Sequence, residues 1–247
     1  MSALFVNKKV WQTFNESEMD SYVEAVFQYY RVKGFPYFPT DNTFRDNEVK
    51  KLLNYDPMRV VDYANQVIMQ SMHGLSLCWS FMPHSWQVKC SNMKTPFEVF
   101  HNDDLLRQVI RKRTKMGDNM SDNGLRKMLK IFTGTQSVSN FRPTAAAAIY
   151  RLNTKKGDTV LDLSCGFGGR LLGSTTSQIK YIGTDPSLKT YEGLLGLRDF
   201  IGSDADILLS GSENFIPDKH SIDFCFTSPP YFNLEEYADE PTQSFIK

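Results

Sequence analysis

Beyond about residue 135 the sequence alternates short β-branched and aromatic runs with helical stretches, and few architectures accept that order. Strands are predicted over 158–163, 180–184, 205–209 and 222–226, with helices over 169–175 and 186–200 between them. Runs of five or six residues bounded by Gly, Pro, Asp and Ser are too short for helices and read as buried strands. Strand–helix alternation implies a parallel sheet whose strands are joined by crossover helices. A strong helix former, Thr144 to Tyr150 with its four alanines, precedes the first strand and has Pro143 in its first turn. The expected fold class is therefore α/β.

The part before residue 135 is read as mainly helical. Ser17 is expected to cap a helix over 18–32, because Met19, Tyr22, Val23, Val26, Phe27 and Tyr30 form one apolar stripe ended by Gly34 and Pro36. A second helix is expected over 43–55. Asp56-Pro57 is read as the cap and first residue of a third, reaching Met72, with Val60, Val61, Ala64, Val67 and Ile68 on one face. Residues 75–102 look irregular and aromatic. Asp103 and Ser121 are expected to cap two further helices. The domain reading is thus 1–135, a helical region, and 136–247, the sheet.

Lys plus Arg and Asp plus Glu both number 28, so the net charge is zero and the chain is no bulk polycation. Any nucleic-acid contact must come from a local patch. The candidate is Arg111, Lys112, Arg113 and Lys115, with Arg107, Arg126, Lys127 and Lys130 nearby, read as phosphate-binding. Cys78, Cys90, Cys165 and Cys225 lack paired metal-site spacing and are too few for a disulfide framework, and His73, His84 and His101 are not spaced as ligands. No metal is expected. With no apolar run near 18 residues and no signal-peptide core, a soluble, cytoplasmic chain without membrane contact is expected.

Three loops sit where strands of such a sheet end, which is where open α/β sheets bind ligands. The first, Asp162-Leu163-Ser164-Cys165-Gly166-Phe167-Gly168-Gly169-Arg170, has glycines that let the backbone turn and approach a ligand closely. Its spacing is not that of a dinucleotide fingerprint, and Asp162 suits a cationic ligand better than a pyrophosphate. The second strand ends in Asp185, placed to accept hydrogen bonds from ribose hydroxyls. The third is followed by Gly211-Ser212-Glu213-Asn214, with polar groups suited to an adenine edge. After the fourth comes Thr227-Ser228-Pro229-Pro230-Tyr231. Two prolines cannot donate ladder hydrogen bonds, so the strand stops in a stiff corner that presents a hydroxyl, unpaired carbonyls and an aromatic ring.

Taken together, these motifs resemble those of the S-adenosylmethionine-dependent amino-methyltransferases, most closely the DNA N4-cytosine/N6-adenine enzymes. Asp162-x-x-x-Gly166-x-Gly168 is similar to their cofactor loop, Asp185 to their ribose acid and Ser228-Pro229-Pro230-Tyr231 to their catalytic tetrapeptide. Phe141-Arg142-Pro143 resembles the segment that packs on the methionine part. The resemblance covers about residues 139–235 and implies a partial Rossmann-like methyltransferase sheet. It implies S-adenosyl-L-methionine held by Phe141, Arg142, Pro143, Asp162, Ser164, Gly166, Gly168, Asp185 and Glu213. Ser228, Pro229, Pro230 and Tyr231 would be catalytic, DNA the partner, and restriction-modification one setting. A serine in the first tetrapeptide position inclines towards cytosine.

The chain departs from that family by ending at Lys247, 16 residues beyond Tyr231. The expectation is a truncated or split enzyme, weakly active alone, with a second polypeptide supplying the remaining strands and the target-reading region. RNA bases, a protein glutamine side chain, or a non-catalytic binding role in a split enzyme stay open beside the DNA reading.

Overall fold

A computed structural model describes residues 8–116, 120–229 and 235–236. In chain order its elements are α1 (Lys8–Trp11), α2 (Glu16–Lys33), α3 (Asn42–Leu53), a 3-10 turn (Pro57–Val60), β1 (Val61–Asp62) and β2 (Val67–Ile68). Then come α4 (Leu75–Phe81), a second 3-10 turn (Pro83–Gln87), β3 (Lys89–Cys90), α5 (Pro96–His101), α6 (Asp103–Lys115) and α7 (Asp122–Ile131). The remainder is α8 (Pro143–Asn153), β4 (Thr159–Asp162), α9 (Gly169–Ser174), β5 (Lys180–Asp185), α10 (Leu188–Phe200), β6 (Asp206–Leu209), a third 3-10 turn (Ser212–Asn214), β7 (Phe224–Cys225) and β8 (Glu235–Glu236).

Packing divides these into two compact units, Met1–Tyr37 with Trp86–Val138, and Phe38–Ser85 with Ser139–Lys247. A single boundary near 135 does not describe this, because 38–85 belongs with the sheet. In the first unit α2 packs on α6, and α5 and α6 on α7. Val23, Val26, Phe27 and Tyr30 meet a core built from Phe100, Leu106, Val109, Ile110, Leu125, Met128 and Leu129, all buried. The cap of α2 is Asn15, two residues upstream of Ser17, in a capping box with Glu18. The cap of α6 is Asn102, which frees Asp103 and Asp104 for the first turn where the helix dipole favours acids. Ser121 caps α7 as expected.

The second unit carries a four-stranded sheet of order β6-β5-β4-β7, every pair parallel. The alanines of α8 bring it close to α9, where a Cβ on Gly173 would lie 2.7 Å from both Ala146 Cβ and the Pro143 carbonyl oxygen. Helix α10 rests on α4 in the same way: a Cβ at Gly193 would meet Met82 Sδ at 2.5 Å.

Two expectations fail here. The helix read over 57–72 is one 3-10 turn followed by the hairpin β1–β2, with Val61 opposite Ile68 and Asp62 opposite Val67. The four β-branched residues prefer strands. Asp62 fixes the turn, its carboxylate accepting from the amides of Ala64 and Asn65 and from the Asn65 side chain. Residues 75–102 are not irregular either. Pro83 and Pro96 cut them into helices of 7 and 6 residues, too short to display a helical period.

Candidate functional site

The four strands, numbered within the sheet in chain order, run 3-2-1-4. The direction of winding therefore reverses between β4 and β7, and such a reversal opens a crevice at the strands' carboxyl ends. Leu161 lies opposite Cys225, and the Phe226 amide donates to the Leu161 carbonyl at 2.9 Å. Residues 227 and 228 consequently emerge over the same edge as residues 163 and 164. Ser228 and Pro229 are exposed there. Pro230 and Tyr231 of the tetrapeptide lie outside the described residues. The Thr227 hydroxyl is buried with no hydrogen-bond partner, and a buried unpartnered hydroxyl costs about 1–3 kcal/mol. Its sequence context gave no sign of this.

The glycine loop has the expected backbone. Gly166 (φ 56°) and Gly168 (φ 79°) take left-handed conformations that side chains disfavour. At Gly169 a Cβ would fall 2.0 Å from the Phe141 carbonyl oxygen, so only glycine lets the 140–143 segment lie against the loop. Asn140 fastens that contact by donating to the Phe167 carbonyl at 3.0 Å. The Phe141 ring meets the Phe226 ring edge-on at 5.2 Å, and the Arg170 guanidinium lies 5.6 Å from the same Phe141 ring. Phe141 thus lies between the glycine loop and the residue that follows β7.

Asp162 has a different part from the one its position suggested. Fully buried, its carboxylate accepts from Arg170 Nε at 2.7 Å, from the Tyr181 hydroxyl at 2.6 Å and from the Ser164 amide at 3.3 Å. Arg170 also donates to the Ser164 carbonyl. The acid's charge is neutralised by Arg170, so what it supplies is a staple between strand, loop and helix rather than attraction for a cationic ligand. Burial, reinforced by the Asp162 charge, pushes the Tyr181 hydroxyl and the Cys165 thiol well above their ordinary ranges. Cys165 is a protonated, inert packing group at neutral pH. Its sulfur stands where a Gly183 side chain would, 2.2 Å from a Cβ there.

Asp185 ends β5 beside the loop. Its two oxygens accept from the amides of Gly166 and Ser187, both at 3.0 Å. It is 7% exposed, and burial pushes its carboxyl up to about 6 despite those bonds. The folded protein therefore keeps this proton to higher pH than the unfolded chain does. Stability from this group is full below pH 3.8 and declines as pH rises through 6, by on the order of 3 kcal/mol. Urea unfolding from pH 4 to 7 measures the slope, and Asp185→Asn is expected to flatten it relative to wild type.

Glu213 lies in a 3-10 turn (Ser212–Asn214) after β6, exposed, its carboxylate folded over Gly211. The loop, Asp185, Glu213 and Ser228 therefore share one edge of the sheet. A cleft of about 420 Å³ lined by Lys156, Ser177, Lys180 and Asp204 lies at the other edge, away from them.

The cationic candidates hold up less well. Arg111 pairs with Asp20, Arg107 pairs with Glu24 at 2.8 Å, and Arg113 is buried. Asp20 and Glu24 are one helical turn apart on α2, matching the spacing of the two arginines on α6, so the stripe zips the helices together. Arg126 is buried and donates to the carbonyls of Pro36 and Tyr37. Only Lys112 and Lys115 of the four candidates are exposed. Each histidine in question has a neighbour: His73 stacks on Tyr55, His84 bonds the Thr190 hydroxyl, and His101 bonds the Phe97 carbonyl. Among the described residues no three metal-binding side chains cluster, and no helix is long and apolar enough to cross a membrane.

Arg170 and Asn140 escaped the sequence reading. One signal was available for the first: a cation in the first turn of α9 opposes the helix dipole, which is tolerable when an acid holds it. A scan against protein-family models finds no match to the chain, and a search of curated proteins finds none either.

Proposed function

We propose that the chain is an S-adenosylmethionine-dependent methyltransferase acting on the exocyclic amine of a DNA base. The observation that carries this reading is the β4–β7 register, since it sets the Ser228-Pro229 corner beside the glycine loop at a switch point. The backbone of Gly166 and Gly168 leaves room for close approach, and the Asp185 carboxylate at the neighbouring strand tip suits a ribose diol. S-Adenosylmethionine supplies a methyl group activated by a sulfonium. An amine on an aromatic ring is a poor nucleophile because its lone pair is delocalised. The Ser228 hydroxyl and the Pro229 carbonyl would accept its hydrogens, which localises that pair and stabilises the charge developing on nitrogen. As the N–C bond formed the S–C bond would break, S-adenosylhomocysteine would leave as the neutral thioether, and the surplus proton on nitrogen would pass to solvent. The base must leave the duplex to reach the corner, at a cost of a few kcal/mol. We include in the proposal a second polypeptide beside β7, whose outer edge has no strand partner among the described residues.

A protein glutamine side chain is the second reading, and the pairing of Arg107 and Arg111 with acids of α2 favours it by neutralising two cations of the surface stripe. Calorimetry with S-adenosylmethionine tests what both share. Binding is expected at pH 7.5 and roughly tenfold weaker at pH 5, where Asp185 is protonated and accepts hydrogen bonds less strongly. No binding at either pH overturns the cofactor. Label from methyl-labelled cofactor, counted separately in DNA, RNA and protein, decides the acceptor.

A further inference from the structure

The glycine loop owes its shape to more than its own backbone. Gly166 and Gly168 take left-handed conformations on either side of Phe167, and glycine gives up more conformational freedom on ordering than any other residue. Such a loop binds well when its neighbours hold it in place before the ligand arrives. Phe167 is where they hold it. Its buried ring packs against Trp79, at 5.4 Å, and His84, at 5.8 Å, while Asn140 takes its carbonyl.

His84 differs from the other two in reaching a second part of the site. Its Nε2 lies 3.1 Å from the Thr190 hydroxyl in the first turn of α10. The Thr190 amide donates at 3.4 Å to the Ser187 hydroxyl that caps this helix, and the Ser187 amide donates to Asp185 at 3.0 Å. The other Asp185 oxygen accepts from the Gly166 amide, next to Phe167. The contacts therefore close a ring, from His84 through Thr190, Ser187, Asp185, Gly166 and Phe167 back to His84, all within one unit. His84 is also firmly mounted. Gly193 of α10 admits the residues ahead of it so closely that a Cβ there would lie 2.6 Å from the Phe81 carbonyl oxygen. Pro83 opens the 3-10 turn that carries His84, and the Ser85 amide and hydroxyl both donate to the Met82 carbonyl, at 3.1 and 2.6 Å.

We propose that His84 is a positioning residue for the cofactor, fixing the glycine loop and Asp185 relative to each other before S-adenosylmethionine binds. The inference rests on the cofactor reading above and adds to it a side chain from 38–85, far in sequence from the strand-end loops. The imidazole offers a flat face to Phe167 and a nitrogen to Thr190. A phenyl ring at 84 could pack on Phe167 equally well, but it would take this partner from the Thr190 hydroxyl, whose residue is 2% exposed.

The test uses the purified full chain, with affinity for S-adenosylmethionine read by calorimetry and the ligand-free loop read by amide hydrogen exchange. His84→Phe is expected to weaken binding about tenfold, or about 1.4 kcal/mol. His84→Gln, whose carboxamide can reach the same hydroxyl, should stay within about threefold of wild type. Thr190→Val should lose as much as His84→Phe, and the two together should lose no more than either alone, because both remove one hydrogen bond. Without ligand, the Gly166 and Ser187 amides should exchange about tenfold faster in His84→Phe while those of β4 and β5 keep wild-type rates. That contrast separates a loosened loop from a weakened fold. A His84→Phe variant that binds like wild type, a loss that Gln does not restore, or losses that add in the double variant would overturn the role of His84 and leave the cofactor reading intact. A wild type that binds no cofactor overturns both.

Discussion

Arg170→Met is expected to destabilise the sheet-containing unit by about 3–5 kcal/mol in urea unfolding, more than any surface substitution in the chain. Arg170 and Asp162 are 4% and 0% exposed at their side chains, with Nε and Oδ2 2.7 Å apart. Removing the guanidinium leaves a buried carboxylate with only the Tyr181 hydroxyl and the Ser164 amide to support it. The penalty comes from that uncompensated charge rather than from the worth of the pair. The double variant Asp162→Asn with Arg170→Met should therefore recover much of the loss. A single variant within 1 kcal/mol of wild type would show that the pair is not the staple described. Because Arg170 also holds the Ser164 carbonyl and flanks Phe141, cofactor affinity should fall in the single variant.

Ser228→Ala is expected to lower methyl transfer by about 10²–10³-fold while leaving cofactor affinity and stability near wild type. The first figure is what loss of one oriented hydrogen-bonding group in a transition state costs. The second follows from position: Ser228 is exposed, beyond the end of β7, so no packing depends on it. Single-turnover measurement with labelled cofactor separates the two. Transfer reduced less than about threefold would remove the hydroxyl from the chemistry.

What could be read from the sequence was set by how local the determinants were. Strands β4 to β7 and helices α8 to α10 declared themselves through apolar runs closed by Gly, Pro and Asp, and the parallel sheet followed from their alternation. The end of β7 ahead of Ser228 and the turns at Gly166 and Gly168 were legible because proline and glycine constrain the backbone on their own. Partnerships across the fold were not. Asp162 reads as a ligand acid until Arg170 and Tyr181 are seen to surround it, and nothing at residue 162 names them. The arginines of α6 looked like a phosphate surface because the acids that match them are more than eighty positions earlier, at Asp20 and Glu24. The 61–68 hairpin was missed because Val, Ala and Ile at helical spacing conceal the side-chain turn made by Asp62.

The interleaving of the two units has a consequence for biosynthesis. Residues 38–85 leave the ribosome well before residues 139–229, which hold their packing partners: Trp79 waits for Phe167, at 5.4 Å in the finished fold, and Gly74 for Pro143 and Leu172. Residues 86–138 meanwhile complete the helical unit begun by 1–37. The nascent chain must therefore carry an apolar stretch, α4 above all, without these partners until Phe167 and Leu172 have been made. A gene fragment starting at 139 would lack that stretch, leave Phe167 and Leu172 bare, and give insoluble protein on expression.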